Sequence, residues 1–99
     1  MENGYKILWT EHALSELSEV YEYLEFNFTN RELNRLSIAI ENTIQLILKD
    51  PELFPFLESK SIRRAVVLKY NTLYYRINGN IIEIVSFFNN RKNPKKRNF

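Results

Sequence analysis

The spacing of apolar residues divides the chain into a helical first part and a strand-rich second part. In residues 11–28 and 33–47 the apolar positions recur every three or four residues, as on one face of an α-helix. A short alternating segment at residues 5–9 precedes them and predicts a strand. Beyond residue 61 the period changes to two. There, β-branched and aromatic runs predict three antiparallel strands, at residues 62–69, 73–77 and 81–88.

Polar residues at the ends of the two helical segments predict where each helix begins and ends. Thr10 has the position of an N-cap for the first helix. The spacing of Thr29 and Glu32 is that of a capping box for the second helix, which Asp50-Pro51 would end. The junction between the helices, residues 28–30, is short, so we expect an antiparallel helical hairpin. Residues 50–61 are interpreted as a loop.

The dipeptide Asn78-Gly79 predicts a tight turn between the last two strands. A type I′ turn there would pair Ile77 with Asn80, and would place Tyr75 opposite Ile82 and Leu73 opposite Ile84. These side chains, continued by Phe88, would form one apolar face of the sheet. We expect the helices to cover that face.

The opposite face of the predicted sheet has no segment of this chain left to cover it. It would present a mixed cationic, aromatic and aliphatic surface, which is a reason to expect a partner there. From the last two strands it would hold Tyr74, Arg76, Ile81, Glu83, Val85 and Phe87, and from the preceding strand Arg63, Val67 and Lys69. Arg76 has an alternative interpretation as a structural residue, because it can pair with Glu83 across the strands. Alternation turns Arg64, the neighbour of Arg63, to the other side of the sheet, where it can hold the sheet edge.

Charge is distributed unevenly along a chain whose formal net charge is only +2. Residues 1–59 carry four cations and eleven acidic residues, which is a net charge of −7. Residues 60–99 carry ten cations and one acidic residue, which is a net charge of +9. This asymmetry indicates an anionic partner for the second part, either nucleic acid or an acidic protein segment.

Length and composition limit the classes of protein to consider. Ninety-nine residues are enough for a single domain, here residues 1–99 with a basic tail at about 89–99. The chain has no cysteine and only one histidine, His12, so the sequence predicts no metal site and no cofactor. His12 is expected to face solvent or to cap a helix. No signal peptide and no apolar run of about 18 residues is evident, so we expect a cytoplasmic protein without a membrane partner.

The order of elements and several local motifs resemble the RelE/ParE superfamily of toxins from bacterial type II toxin–antitoxin systems. The opening segment ILWTEHALSELSEVYEYL is similar to a family pattern with Ala-x-x-(Asp/Glu)-Leu, here Ala13–Leu17. The family also has a proline-containing loop after its second helix, as in DPELFP. Its last three strands resemble IRRAVVLKYNTLYYRI and IIEIVSFFNNRKNP, with Tyr75 at the usual tyrosine and Arg91 near the arginine that follows the last strand.

This resemblance implies an α+β fold with helices on one face of a sheet, and a toxin held inactive by a cognate antitoxin in a hetero-oligomer. ParE-like members bind DNA gyrase, whereas RelE-like members cut ribosome-bound mRNA. The sequence has no tyrosine after Tyr75 and no histidine after His12, and Thr72 stands where many nucleases of the family carry arginine. These departures favour a ParE-like toxin over an mRNA endoribonuclease. A nucleic-acid-binding module with neither activity remains a third hypothesis.

Candidate site residues follow from the basic and aromatic positions. For a nuclease, the resemblance implies that Arg64 and Arg91 would stabilise charge on the phosphate. The cations beyond residue 90 could also be a solubilising tail. The predicted residues that contact the target or the antitoxin are Arg63, Lys69, Tyr74, Arg76, Phe87, Arg91, Lys92, Lys95 and Lys96.

Overall fold

Two helices and five strands make up residues 4–90, the part of the chain that the structure, a computed structural model, describes. Strand β1 precedes both helices, and four strands follow them, as the sequence predicts except for one additional short strand. The elements are β1 (Lys6–Trp9), α1 (Glu11–Asn27), α2 (Asn30–Lys49), β2 (Phe56–Leu57), β3 (Ile62–Val67), β4 (Asn71–Asn78) and β5 (Ile81–Asn89).

The five strands form one mixed sheet in the order β1-β5-β4-β3-β2. β1 pairs with β5 in parallel, and the other neighbours are antiparallel. The predicted α+β class and the final antiparallel meander are therefore confirmed. The interpretation of residues 50–61 as a loop missed β2, which has only two residues and is too short to show an alternating pattern.

The two helices begin differently. Thr10 caps α1 as predicted, because its Oγ1 accepts a hydrogen bond from the Ala13 backbone N at 3.1 Å. The same hydroxyl donates to the Ile84 carbonyl oxygen at 3.2 Å and so fixes the helix start to β5. The predicted capping box of α2 is wrong, since the Thr29 side chain makes no capping bond. Instead, the Glu32 backbone N donates to the Thr29 carbonyl oxygen at 3.0 Å.

The main core lies between the helices and one face of the sheet. Tyr75, Ile82 and Ile84 are fully buried there, so the helices cover the face that the sequence assigned to them. The helices contact each other as well: the Tyr21 hydroxyl and Ser37 Oγ are 2.8 Å apart. The core is completed by Ala13, Val20, Leu24, Leu36, Ile40, Ile47, Val67, Leu73 and Phe87.

The turn between β4 and β5 lies one residue later than predicted. Asn78 pairs with Ile81, so the two turn residues are Gly79 and Asn80, and only Gly79 has a positive φ, of 64°. Such a φ pattern belongs to a type II′ turn, with glycine in the first position. Tyr75 consequently lies opposite Ile84 rather than Ile82. The shift in partner is two residues, and each side chain keeps its predicted face as far as Ile84.

Beyond Ile84 an irregularity in the β4–β5 pairing changes which side chains face the helices. Tyr75 pairs with Ile84, but Tyr74 pairs with Ser86, so Val85 is an extra residue in β5. From there the alternation is shifted by one position. Phe87 is in the main core, and Phe88 packs on the opposite face. The sequence predicted the reverse for both phenylalanines, because regular alternation contains no bulge.

Candidate binding face

The sheet face opposite the helices, called the open face below, receives a different set of β3 residues from the predicted one. Ile62 is buried on the open face, so alternation turns the next residue, Arg63, toward the helix side. The pairing agrees: Arg63 lies opposite Tyr75, and Arg64 lies opposite Tyr74. The predicted positions of Arg63 and Val67 on the open face are therefore wrong. Arg64 takes the open-face position instead.

Arg63 anchors the loop that follows α2. Its Nη1 donates to the carbonyl oxygens of Phe54, at 2.9 Å, and Glu52, at 3.3 Å. Its guanidinium carbon also lies 4.9 Å from the centre of the Phe56 ring, within range of a cation–π contact. In the structure, Arg63 thus contacts the protein's own backbone and ring rather than the open face.

Tyr75 anchors the same loop from within the core. Its hydroxyl donates to the Pro51 carbonyl oxygen at 2.7 Å, and its ring meets Phe54 edge-on at 6.4 Å between centroids. Burial raises the pKa of Tyr75 to about 12; the Arg63 guanidinium opposes this shift, and the Asp50 carboxylate adds to it. The tyrosine singled out by the family resemblance therefore has a structural contact, away from the open face.

A second, smaller apolar cluster lies on the open face. Ile62, Tyr74 and Phe88 are each 5% exposed or less, and Leu57 and Val85 pack against them. Tyr74 is on the face that the sequence predicts, although its side chain is largely covered by these neighbours. Phe88 occupies the position predicted for Phe87, which is 1% exposed and belongs to the main core.

Beside this cluster lies a cleft of about 380 Å³, called the open-face cleft below. Among residues 4–90, Arg64 is the one charged residue that lines it, and Thr72, Tyr74 and Asn90 supply polar groups. Phe88 and Val66 are among the apolar lining residues, and the Val66 side chain is 60% exposed. The lining is completed by Phe54 and Pro55. A guanidinium next to hydroxyl, amide and apolar groups can bind a carboxylate or a phosphate together with an apolar side chain.

The other predicted cations are separate from this cleft. Arg76 lies directly opposite Glu83, with Nε 2.5 Å from Oε1, so its interpretation as a cross-strand ion pair is the observed one. Lys69 is in the turn between β3 and β4, with its Nζ 5.7 Å from the Tyr70 ring centre. Its predicted place in a strand on the open face is wrong, because Leu68 adopts a left-handed φ of 58° where β3 has ended.

Four predicted contact residues fall outside the described part of the chain: Arg91, Lys92, Lys95 and Lys96. Their role stays a prediction. Asn89, which the sequence assigned to the tail, is the last residue of β5; it is buried, and its Nδ2 donates to Asn71 Oδ1 at 2.5 Å.

Glu16 is a residue whose role the sequence reasoning missed. It lies on α1 between buried positions, and its side chain is only 19% exposed. Its Oε1 accepts hydrogen bonds from Ser86 Oγ at 2.6 Å and from the Phe87 backbone N at 2.9 Å. The signal was present in the spacing, because Glu16 is three residues after Ala13 and four before Val20, both buried. His12 is largely exposed as predicted, with Nε2 3.4 Å from Glu16 Oε1.

No group of three or more histidine, cysteine, aspartate or glutamate side chains in residues 4–90 is arranged to hold a metal ion. Neither helix within that range combines the length and apolar character needed to cross a bilayer.

Comparison with known proteins gives a clear result at the level of structure. Eight solved chains match this one. A chain in a structure described as the chromosomal ParDE TA system from P. aeruginosa has a TM-score of 0.71 and 14% sequence identity, covering 86% of this chain and 95% of that chain. No protein-family model and no curated protein matches the sequence. The likeness defines the fold: this chain has the RelE/ParE-like α+β fold that its motifs predict.

Proposed function

We propose that this protein is the toxin of a type II toxin–antitoxin pair, a ParE-like growth inhibitor that acts on DNA gyrase and is neutralised by a cognate antitoxin. The fold shared with a chain of a ParDE system supports the toxin class. The expected location is the cytoplasm, where gyrase and an antitoxin would be met.

The observation that carries the choice of a non-hydrolytic toxin is the lining of the open-face cleft. RNA cleavage requires groups that accept and donate protons at the scissile phosphate. The described lining combines one guanidinium, which is a permanent cation in proteins, with two hydroxyls, an amide and apolar groups, and includes no imidazole or carboxylate. Such a lining is suited to holding an anionic or apolar group of a partner rather than to moving protons.

The same face suits an acidic antitoxin segment. Arg64 supplies a cation. Exposed apolar side chains lie on this face toward both edges of the sheet: Val66 on β3 is 60% exposed, and Leu8 on β1 is 48% exposed. A segment that combines carboxylates with apolar residues could cover both kinds of group at once.

The alternative of an mRNA endoribonuclease is favoured by one observation. Arg64, which the sequence analysis named as a residue to stabilise a scissile phosphate, does line the cleft, next to the hydroxyl groups of Thr72 and Tyr74. Its predicted companion, Arg91, is outside the described residues. A non-toxic nucleic-acid-binding module is the third candidate, supported by the basic second part of the sequence.

The test is controlled expression in a bacterial host, with and without the product of a neighbouring small reading frame. We expect growth arrest that the second product relieves. Purified protein should inhibit gyrase supercoiling of a relaxed plasmid, while transcripts stay intact. Cuts at codon positions in translated mRNA would instead establish the nuclease, and unimpaired growth would establish the binding module.

A matched pair of variants connects this test to the cleft. Arg64→Ala should weaken gyrase inhibition at least about tenfold, since a charged contact in the binding face is removed. Arg31→Ala removes an arginine from the first turn of α2, outside the cleft, and should leave inhibition unchanged. Equal activity of the two variants would contradict the assignment of the cleft.

A further inference from the structure

The contact between Glu16 and β5 occurs at the irregularity of the sheet. One oxygen of Glu16 accepts from both Ser86 Oγ and the Phe87 backbone N. Ser86 is the residue after the extra residue Val85, and Phe87 follows directly. A carboxylate from α1 thus binds β5 just where its alternation changes.

Two arrangements of this part of β5 are conceivable, and they differ in which phenylalanine enters the core. Regular alternation from Ile84 would turn Phe88 toward the helices and Phe87 toward the open face. The structure has the opposite arrangement, with Phe87 in the main core, 6.4 Å from the Trp9 ring, and Phe88 clustered with Ile62 on the open face. Since both residues are phenylalanine, side-chain volume alone does not select between the two arrangements.

We infer that Glu16 is the positioning residue that selects the shifted arrangement of β5 and thereby shapes the open-face cleft. Ser86 is fully buried, and a buried backbone N–H or hydroxyl without an acceptor is costly. Glu16 supplies that acceptor to both groups in the shifted arrangement. Ser86 is two residues after Ile84 and faces α1 in either arrangement, so the bond from the Phe87 backbone N is the one that distinguishes them.

The consequence reaches the cleft because two of its lining residues follow the irregularity. Phe88 lines the cleft from β5, and Asn90, whose backbone N donates to the Tyr70 carbonyl oxygen at 2.7 Å, lies two positions further on. Both keep these positions only in the shifted arrangement. The functional part of this inference rests on the proposed function, whereas the structural part is independent of it.

Amide exchange and nuclear Overhauser contacts of the full-length protein test the structural part. In Glu16→Ala, exchange of the Phe87 amide should accelerate at least about tenfold relative to that of Ile82, and the contact between the Phe87 and Trp9 rings should weaken. Glu16→Gln keeps a side-chain oxygen that can accept both bonds, so it should restore protection and ring contact. Glu22→Ala, at an exposed position of the same helix, is the matched control.

A second variant keeps the inference testable if Glu16→Ala does not fold. Ser86→Ala removes one of the two donors and should give a smaller acceleration of Phe87 exchange than Glu16→Ala. Unchanged Phe87 exchange and an intact Phe87–Trp9 contact in a folded Glu16→Ala protein would overturn the inference. So would an equal effect of Glu16→Ala and Glu22→Ala.

Growth arrest tests the functional part separately. We expect Glu16→Ala to reduce arrest and Glu16→Gln to retain it, at equal protein levels. Full arrest by a Glu16→Ala protein whose Phe87 contacts are lost would overturn the link to the cleft. Absence of arrest with the unaltered protein would contradict the proposed function instead, and the exchange data would still decide the structural part.

Discussion

The two faces of the sheet differ in what covers them and in what their residues do. On the helix side, two helices bury a continuous core that includes Tyr75, Ile82 and Phe87. On the open face, three residues form a small cluster beside a cleft, and no helix of the described chain covers them. The helix side therefore accounts for most of the fold's stability, whereas the open face is available for binding.

Neighbouring residues of the same type make this difference especially clear. Arg63 binds backbone carbonyl oxygens on the helix side, whereas Arg64 lines the cleft. Phe87 is in the core, whereas Phe88 is on the open face. A residue of the same type is thus buried on the helix side or accessible on the open face, depending on which of two neighbouring positions it occupies. Matched substitutions at such pairs can therefore test each face separately.

The two phenylalanines provide the largest expected contrast. Phe87→Ala should lower the free energy of unfolding by about 3–5 kcal/mol, because it removes a large side chain from the main core. Phe88→Ala should cost less, since the open-face cluster is small and can adjust next to the cleft. Urea unfolding followed by circular dichroism measures both. Equal losses would show that the two faces contribute equally to stability.

Alkaline pH should destabilise the helix side through Tyr75. Its pKa is raised to about 12 in the folded protein from 10.0, so the unfolded chain releases this proton first. Stability from this group is complete below pH 10 and falls between pH 10 and 12, by about 1.4 kcal/mol per pH unit. The measurement is the difference in unfolding free energy between the unaltered protein and Tyr75→Phe across this range. A parallel pH dependence of the two proteins would contradict it.

The two arginines should separate stability from activity. Arg63→Ala is expected to lower the free energy of unfolding by about 1–3 kcal/mol, because bonds from a charged group to two carbonyl oxygens are lost. Arg64→Ala should change it by less than about 0.5 kcal/mol while weakening the proposed inhibition of gyrase. Thermal unfolding and the supercoiling assay on the same preparations provide both readouts. An Arg64→Ala protein as unstable as Arg63→Ala would remove the distinction.

The smallest effect is expected from the ion pair on the open face. The Arg76 side chain is 53% exposed, so its pair with Glu83 should contribute only about 0.2–1 kcal/mol. A double-mutant cycle with Arg76→Ala and Glu83→Ala isolates that interaction, and added salt should reduce it. A coupling energy well above this range would mean that the open face contributes more to the free energy of unfolding than its exposure to solvent suggests.

Sequence patterns predicted the features that depend on local signals. The element order, the Thr10 cap and the burial of Tyr75, Ile82 and Ile84 all follow from spacing and are confirmed. The phase of β3 did not follow, because it has apolar residues on both faces and alternation alone does not choose between them. The position of Phe87 depends on a bulge bound by Glu16, a contact between residues 71 positions apart.

The parallel pairing of β1 with β5 has a consequence for biosynthesis. The residues of β1 pair only with β5. Thr10, which follows β1, also donates its backbone N–H to the Ile84 carbonyl oxygen of β5. During translation, β1 must therefore wait for β5 to leave the ribosome before the two strands can pair. A fragment that lacks β5 would leave β1 and β4 without the strand that joins them, so it should not form the complete sheet.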